Sequence, residues 1–332
     1  MIPVRLGIIG AGAIVKAAYL PALKDIKEIR LAAIVDTDQF SLDKMASEYD
    51  LKYHGRDIGK CLDFVDVVII ACPNYLHASM AVYCMKAGIH VLCEKPMTIC
   101  TESASKMVDC ARNNNVKLAV AHVRRFYPSS QSIRQIIEEK VLGDVVSFDC
   151  KEGLVFNWPT VSGFFFDREK AGGGVLMDTG VHLLDLLMWW FDSKPTLLEY
   201  EDDNLGGVEA FSKIKLKFNN DVEGTVTISR LSQLRNTYRI NCEKGTIEYS
   251  PFDMKKFFTL DNDPLKKNRR KIFKATKSKF SYIDCMKAMI KNFCTAVHEN
   301  GEPLVTGKEG IKVAKLIQEC YQNRIQIDMP WL

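Results

Sequence analysis

The 332-residue chain has no C-x-x-C pair among its eleven cysteines, six histidines in all, no apolar run of membrane-spanning length and almost no charge imbalance. Each shortage removes a class of protein. Scattered cysteines, some inside apolar runs such as Cys72 and Cys93, argue against a disulfide framework and for reduced thiols in a cytoplasmic protein. A net charge of +4, from 45 basic and 41 acidic residues, gives no field for nucleic acid or a membrane surface. The apolar segment 183–191 stops at Asp192, short of a membrane span. Glycines and a turn interrupt residues 1–23, so these read as a first strand and its turn rather than a signal peptide. No internal repeat and no low-complexity segment is present.

What is present is an alternation. Short β-branched runs at 4–9, 31–35, 67–71, 89–93 and 117–121 alternate with amphipathic stretches near 14–24, 39–49, 75–87 and 101–114. That order predicts right-handed βαβ crossovers and a doubly wound parallel sheet, an α/β Rossmann domain over residues 1–122. After a helix near 129–140 the character changes. Strand patterns at 145–151, 213–218, 222–229, 237–242 and 246–249, with helices at 180–191, 281–299 and 307–322, predict an α+β domain over 123–332. Its sheet is expected to be mostly antiparallel and open.

Gly10-Ala11-Gly12-Ala13-Ile14 follows the first strand and opens the first helix. Gly10 suits a tight turn, Gly12 lets the backbone approach a pyrophosphate, and the helix N-terminus meets its charge. Position 15, where a third glycine or alanine is expected, is Val15, which implies a wider helix–strand spacing there. The second strand ends at Asp36, at the spacing of a carboxylate that binds ribose hydroxyls and repels a 2′-phosphate. NAD is therefore favoured over NADP; the plain alternative is a strand-end turn aspartate. Pro73 and Asn74 close the next core strand, where Asn74 would face the nicotinamide half, and His77 starts a helix beside that edge. Glu94-Lys95-Pro96 ends a further strand and places one amine on a stiff support where ligands of open α/β sheets bind. In the second half, Gly172-Gly173-Gly174 precedes Asp178 and His182, which are four residues apart and share one face of a helix. A metal site at Asp178, His182 and Asp185 lacks a further His or Cys ligand, so no metal is expected. A buried structural histidine is the plainer rival for His182.

These motifs, with Arg124-Arg125-Phe126, resemble the glucose-fructose oxidoreductase, inositol dehydrogenase and rhizopine-catabolism (Gfo/Idh/MocA) family over essentially the whole chain. The resemblance implies an NAD(P)-dependent oxidoreductase acting on a secondary alcohol or ketone of a sugar, cyclitol or sugar derivative. Its dinucleotide would contact Gly10, Gly12, Ala13, Ile14, Asp36, Pro73, Asn74, His77, Glu94 and Lys95. It also implies Lys95, Asp178 and His182 as active-site residues, a Lys95–Pro96 bond that is often cis, and a homodimer or homotetramer built through the C-terminal sheet. In that chemistry His182 has a pKa suited to accept a proton near neutrality, Lys95 polarises the same oxygen, and Asp178 orients His182 or binds a neighbouring hydroxyl. Lys95 and His182 can exchange the proton-transfer role.

Substrate contacts are expected from Arg125, Trp158 and Arg168, with Phe156 and Phe164-Phe165-Phe166 as possible stacking faces for a sugar ring. The basic residues Lys266, Lys267, Arg269, Arg270, Lys271, Lys274, Lys277 and Lys279 suggest a solvated loop or a contact for a phosphorylated substrate, hence a sugar-nucleotide oxidoreductase as a second reading. A dinucleotide-binding regulator without catalysis is the rival from another class.

Overall fold

Continuous β-branched runs suit strands covered on both faces, and Val67, Val68, Ile69 and Ile70 are all fully buried. The computed structural model of the protein describes residues 3–157, 163–261, 270–276 and 279–327. Its first sheet comprises β1 (Val4–Ile9), β2 (Ile29–Val35), β3 (Tyr53–Gly55), β4 (Val67–Ile70), β5 (His90–Cys93) and β6 (Leu118–Val120), in the order β3-β2-β1-β4-β5-β6. Every pairing is parallel. Strand order reverses beside β1, so the loops after β1 and β4 flank a crevice at the carboxyl ends of the strands. Only β3 has no counterpart in the sequence reading, because Tyr53-His54-Gly55 contains no apolar run.

The second sheet adds β7 (Val145–Gly153), β8 (Thr196–Asp202), β9 (Phe211–Lys217), β10 (Glu223–Ser229), β11 (Thr237–Cys242), β12 (Gly245–Tyr249), β13 (Lys256–Asp261), β14 (Arg270–Lys274) and β15 (Arg324–Gln326). They run in the order β14-β13-β12-β11-β7-β10-β9-β8-β15. The sheet is mostly antiparallel, but β7 pairs with β10 and β8 with β15 in parallel. One face packs under the helix Val181–Trp190, whose Leu183, Leu184, Leu186 and Leu187 are fully buried. The opposite face is polar: along β9, Ser212, Ile214 and Leu216 turn inward while Lys213 and Lys215 are exposed.

Packing does not follow a division at residue 122/123. The helix Tyr282–His298 returns to the first core, which includes Cys285, Met286, Met289, Ile290 and Phe293. Val305 and Thr306 then extend the edge of β6, with Val120 N–H donating to Val305 O at 3.1 Å. The helix Gly307–Gln322 fills the seam between the two sheets, contributing Val313, Leu316 and Ile317 to the second core. These apolar faces are amphipathic patterns whose partner cannot be read from the helix itself.

Of the basic residues, Arg270, Lys271 and Lys274 lie on β14 at the edge of the second sheet. Lys266, Lys267, Arg269 and Lys277 fall outside the described residues, while Arg270 pairs with Glu248 at 3.3 Å and stacks over Phe258 at 3.6 Å. β14 is five strand spacings from β10, roughly 24 Å.

Arg125 departs from its expected role. Its guanidinium makes two hydrogen bonds to Asp185, at 2.9 and 2.6 Å, and both side chains are at most 5% exposed. It ties the turn after β6 to the buried helix, with Nε and Nη2 both engaged by Asp185. Arg125→Met is expected to lower stability by about 3–5 kcal/mol, because it strands a buried carboxylate. Urea unfolding of Arg125→Met beside Arg125→Met/Asp185→Leu checks this: the double variant should recover most of the loss.

Candidate active site

The glycine loop is shaped by contact on one side and space on the other. Gly10 has φ +106°, and a Cβ there would stand 2.4 Å from Ala71 O, so only glycine fits between β1 and β4. At Gly12 the position of a Cβ has no neighbour within 4 Å, which leaves the backbone open to a pyrophosphate. Asp36, at the end of β2, accepts the N–H of Ala11 and, at 2.8 Å, that of Asp38. Its carboxylate therefore stands against the loop where a ribose would lie. Ala13 and Ile14 are partly exposed at the helix start, and Val15 is fully buried. The helix begins as a π-turn, Val15–Tyr19, wider than an α-turn, where the bulkier residue replaces the expected small one. These features fit a dinucleotide. One cation of this region is placed by tertiary structure: Lys16 donates to Ser41 at 2.9 Å, and Ser41 in turn donates to Asp38.

Two residues expected to meet the cofactor are engaged elsewhere. Asn74, after β4 and Pro73, donates through Nδ2 to Ala171 O at 2.9 Å, joining the first domain to the second. His77 is 1% exposed, with Nδ1 2.9 Å from Pro96 O and Nε2 2.8 Å from Cys72 O. It clamps the loops after β4 and β5 together and does not project toward a ligand. Burial lowers its pKa from the ordinary histidine value.

The Glu94–Pro96 turn brings three elements together. Glu94 accepts from Tyr19 OH at 2.6 Å and from Lys95 N–H at 3.0 Å, and burial raises its pKa against both partners. The Lys95–Pro96 peptide is cis. Lys95 Nζ crosses the seam to donate to Asp178 Oδ1 at 2.9 Å and Asp178 O at 3.0 Å. An ammonium has three N–H donors, so one is left. Burial alone would raise the Asp178 pKa; Lys95, with smaller help from Arg230 and Arg124, holds the carboxyl below its usual value.

Asp178 sits in a π-turn, Leu176–Gly180, that leads into Val181–Trp190, and His182 stands on that helix. Asp178 thus pairs with Lys95 and makes no hydrogen bond to His182. Nor is His182 poised near neutrality. Burial first, then the positive charges of Lys95 and Arg124, push its pKa well below the ordinary value, and Nδ1 is buried without a partner. The same causes that keep the imidazole neutral make it a weak base. The three preceding glycines serve chain packing: a Cβ on Gly174 would meet Glu209 O at 1.8 Å, and Glu209 also accepts the N–H groups of Gly174 and Leu176.

Of the expected substrate contacts, Arg125 is sequestered by Asp185, Trp158 lies outside the described residues, and Arg168 is exposed with its guanidinium over the Tyr321 ring at 5.5 Å. Sequence reasoning missed Tyr19, the Arg124–Glu152 pair at 2.7 Å and Arg230 at the end of β10. Tyr19, Glu152 and Arg230 carry no local motif, and the Arg124-Arg125-Phe126 motif does not reveal the partner of Arg124. It also missed His122, whose ring meets that of His182 edge-on at 6.3 Å and whose Nε2 is 3.8 Å from Asp185. Among the described residues no group of three His, Cys, Asp or Glu side chains is arranged to hold a metal.

Burial lowers the His122 pKa to about 4, despite Asp185. A histidine with a depressed folded-state pKa takes up its proton first in the unfolded chain, so its stability contribution is full above pH 6.5 and is lost as pH falls toward about 4. His122→Gln should flatten the decline of the urea midpoint over that interval, compared with the parent at matched ionic strength. An unchanged slope would show that His122 does not remain neutral in the fold.

Residues 4–122 match a family model described as the oxidoreductase family, NAD-binding Rossmann fold, and residues 130–248 match the model of the same family's C-terminal domain. The D-glucoside 3-dehydrogenase of Escherichia coli (strain K12) is 31% identical over 192 residues, 56% of this chain and 54% of the relative. The glucose-6-phosphate 3-dehydrogenase of Bacillus subtilis (strain 168) is 30% identical over 196 residues, 57% of this chain and 54% of the relative. The chain spans about half the length of these curated relatives. The aldose-aldose oxidoreductase of Caulobacter crescentus, solved with glycerol, has the same fold, with a TM-score of 0.87 at 21% identity over 97% of each chain. With two models of one family matching most of its length, and with the glycine loop and domain order they require, the chain belongs to the Gfo/Idh/MocA family of oxidoreductases with an NAD-binding Rossmann domain.

Proposed function

We propose that the protein is an NAD-dependent dehydrogenase or ketoreductase acting on a secondary alcohol or ketone of a sugar or sugar derivative. The observation that carries this reading is the Lys95–Asp178 pair, which crosses the domain seam at the strand ends beside the glycine loop, with His182 on the adjoining helix. The half-length likeness to two sugar dehydrogenases supports the substrate class.

When bound, NAD supplies the hydride acceptor. The remaining work falls to the chain. Lys95 holds the reacting oxygen with its third N–H and steadies negative charge there, while Asp178 fixes the ammonium in place. Burial and Lys95 disfavour the charged form of His182 and make it a weak base, so it accepts the hydroxyl proton only as the C–O bond gains carbonyl character and the hydroxyl turns strongly acidic. Gly10, Gly12, Ala13 and Ile14 would hold the pyrophosphate, and Asp36 the ribose. Glu94 acts through Tyr19 and the Lys95 backbone. Eleven scattered cysteines with no C-x-x-C pair support a cytoplasmic location. No helix among the described residues is long and apolar enough to cross a membrane. A homodimer or homotetramer would use the exposed polar face of the second sheet.

NADH absorbance read over a panel of sugars, cyclitols and nucleotide sugars should show turnover of at least one neutral or derivatised sugar. Lys95→Met should reduce that turnover about 10²–10⁴-fold while NAD binding persists. Normal turnover in Lys95→Met would rule out the mechanism, and bound NAD without turnover on any compound would favour a regulator. Because Asp36 repels a 2′-phosphate, Asp36→Ser is expected to raise the NADP/NAD ratio of kcat/KM by about tenfold or more. A parent enzyme that already prefers NADP would overturn the role given to Asp36.

A further inference from the structure

Arg230 follows β10 directly, where the strand packs against the turn bearing Asp178; Ile228 Cδ1 lies 2.8 Å from the position a Cβ would take on Gly180. The arginine is 9% exposed, yet its Nε and Nη1 are buried with no hydrogen-bond partner among the described residues. Its guanidinium lies over the Phe156 ring at 5.3 Å, and no carboxylate among the described residues pairs with it. The neighbouring cations are all matched: Arg124 by Glu152, Arg125 by Asp185 and Lys95 by Asp178. Arg230 also contributes to the positive field at Asp178, which places it within electrostatic reach of the reacting groups.

A buried guanidinium without a counter-charge is costly, and a ring face replaces only part of its hydration. A group of this kind in a native fold calls for a specific explanation, and a ligand that completes it is the one its position favours. The planar fork matches two oxygens of a carboxylate or phosphoryl group, and its hydrogen bonds to such an anion are stronger than those to neutral hydroxyls. Phe156 stands beside Phe166, at 5.6 Å edge-on, and Phe165, at 6.4 Å, so an apolar wall flanks the cation. A sugar ring can lay its C–H face there while an appended anion reaches Arg230.

We propose that Arg230 recognises an oxyanion on the substrate, so that the preferred substrate is a sugar bearing a carboxylate or phosphate rather than a neutral sugar. This rests on the dehydrogenase reading above and names its substrate class. The anion anchors the ring at one end and leaves a ring hydroxyl to Lys95 and His182 at the other. Arg230 serves binding and takes no part in proton transfer.

The test titrates NADH-loaded protein with D-glucose, D-gluconate, D-glucuronate and glucose 6-phosphate, reading NADH fluorescence, and measures initial rates with NAD on the same compounds. At least one anion is expected to bind about 30-fold or more tightly than glucose, and Arg230→Met should abolish that margin through KM rather than kcat. NADH affinity should be unchanged. Carboxylates and glucose 6-phosphate as separate arms distinguish the two kinds of oxyanion. Arg230→Lys, which keeps the charge and loses the fork, should weaken anion binding about tenfold and serves if Arg230→Met does not fold. Glucose binding as tightly as every anion, or anion preference surviving in both variants, would overturn the proposal. Anion binding through Arg230 without turnover would overturn the dehydrogenase reading and leave the recognition site standing.

Discussion

The hydrogen-bonded ion pair between Lys95 and Asp178 is the constraint on which the site depends. Each partner comes from a different domain, and neither is deeply enough buried to be trapped by packing alone, with side chains 20% and 32% exposed. The ammonium spends two donors on the aspartate, one on its side chain and one on its backbone oxygen. That double attachment fixes the amine's direction as well as its position. The surrounding framework serves the same geometry: Asn74 bonds Ala171 across the seam, His77 clamps the two strand-end loops, and Glu209 holds the glycine turn before Asp178.

Charge is distributed unevenly around this pair. Arg124 and Arg125 are each neutralised by a carboxylate partner, Glu152 and Asp185. His122 and His182 stay neutral, because burial and neighbouring cations disfavour a proton on either ring. In the proposed reaction a neutral imidazole and an ammonium would divide the labour: the ammonium would hold negative charge on oxygen and the imidazole would receive a proton. Arg230 breaks the pattern of matched charges, and it does so on the side facing the aromatic residues Phe156, Phe165 and Phe166.

Local chemistry made some of this legible. Gly10 was readable because a strand feeding directly into a helix forces a turn that a side chain would obstruct, here against Ala71 O. Asp36 was readable because it ends the strand next in order. β13 and β14 were hidden within a basic stretch, and β8 reads Thr-Leu-Leu-Glu-Tyr-Glu-Asp, too mixed in pattern to mark a strand. Asn74, His77 and Arg125 carried recognisable types in recognisable places, but their partners lie 97, 19 and 60 residues away. Spacing along the chain holds no information about such bonds.

By itself the sequence determined the βαβ order, the glycine turn, the position of Lys95 at a strand end and the common helix of Asp178 and His182, because each follows from hydrophobic period or from backbone sterics within a few residues. Tertiary structure alone decided that Asp178 belongs to Lys95 rather than to His182, that Arg125 is spent on Asp185, that the final helices return to close the seam, and that Nε and Nη1 of Arg230 are buried with no hydrogen-bond partner among the described residues. Those outcomes turn on burial and on which charges meet across the seam, quantities that exist only once distant segments have packed.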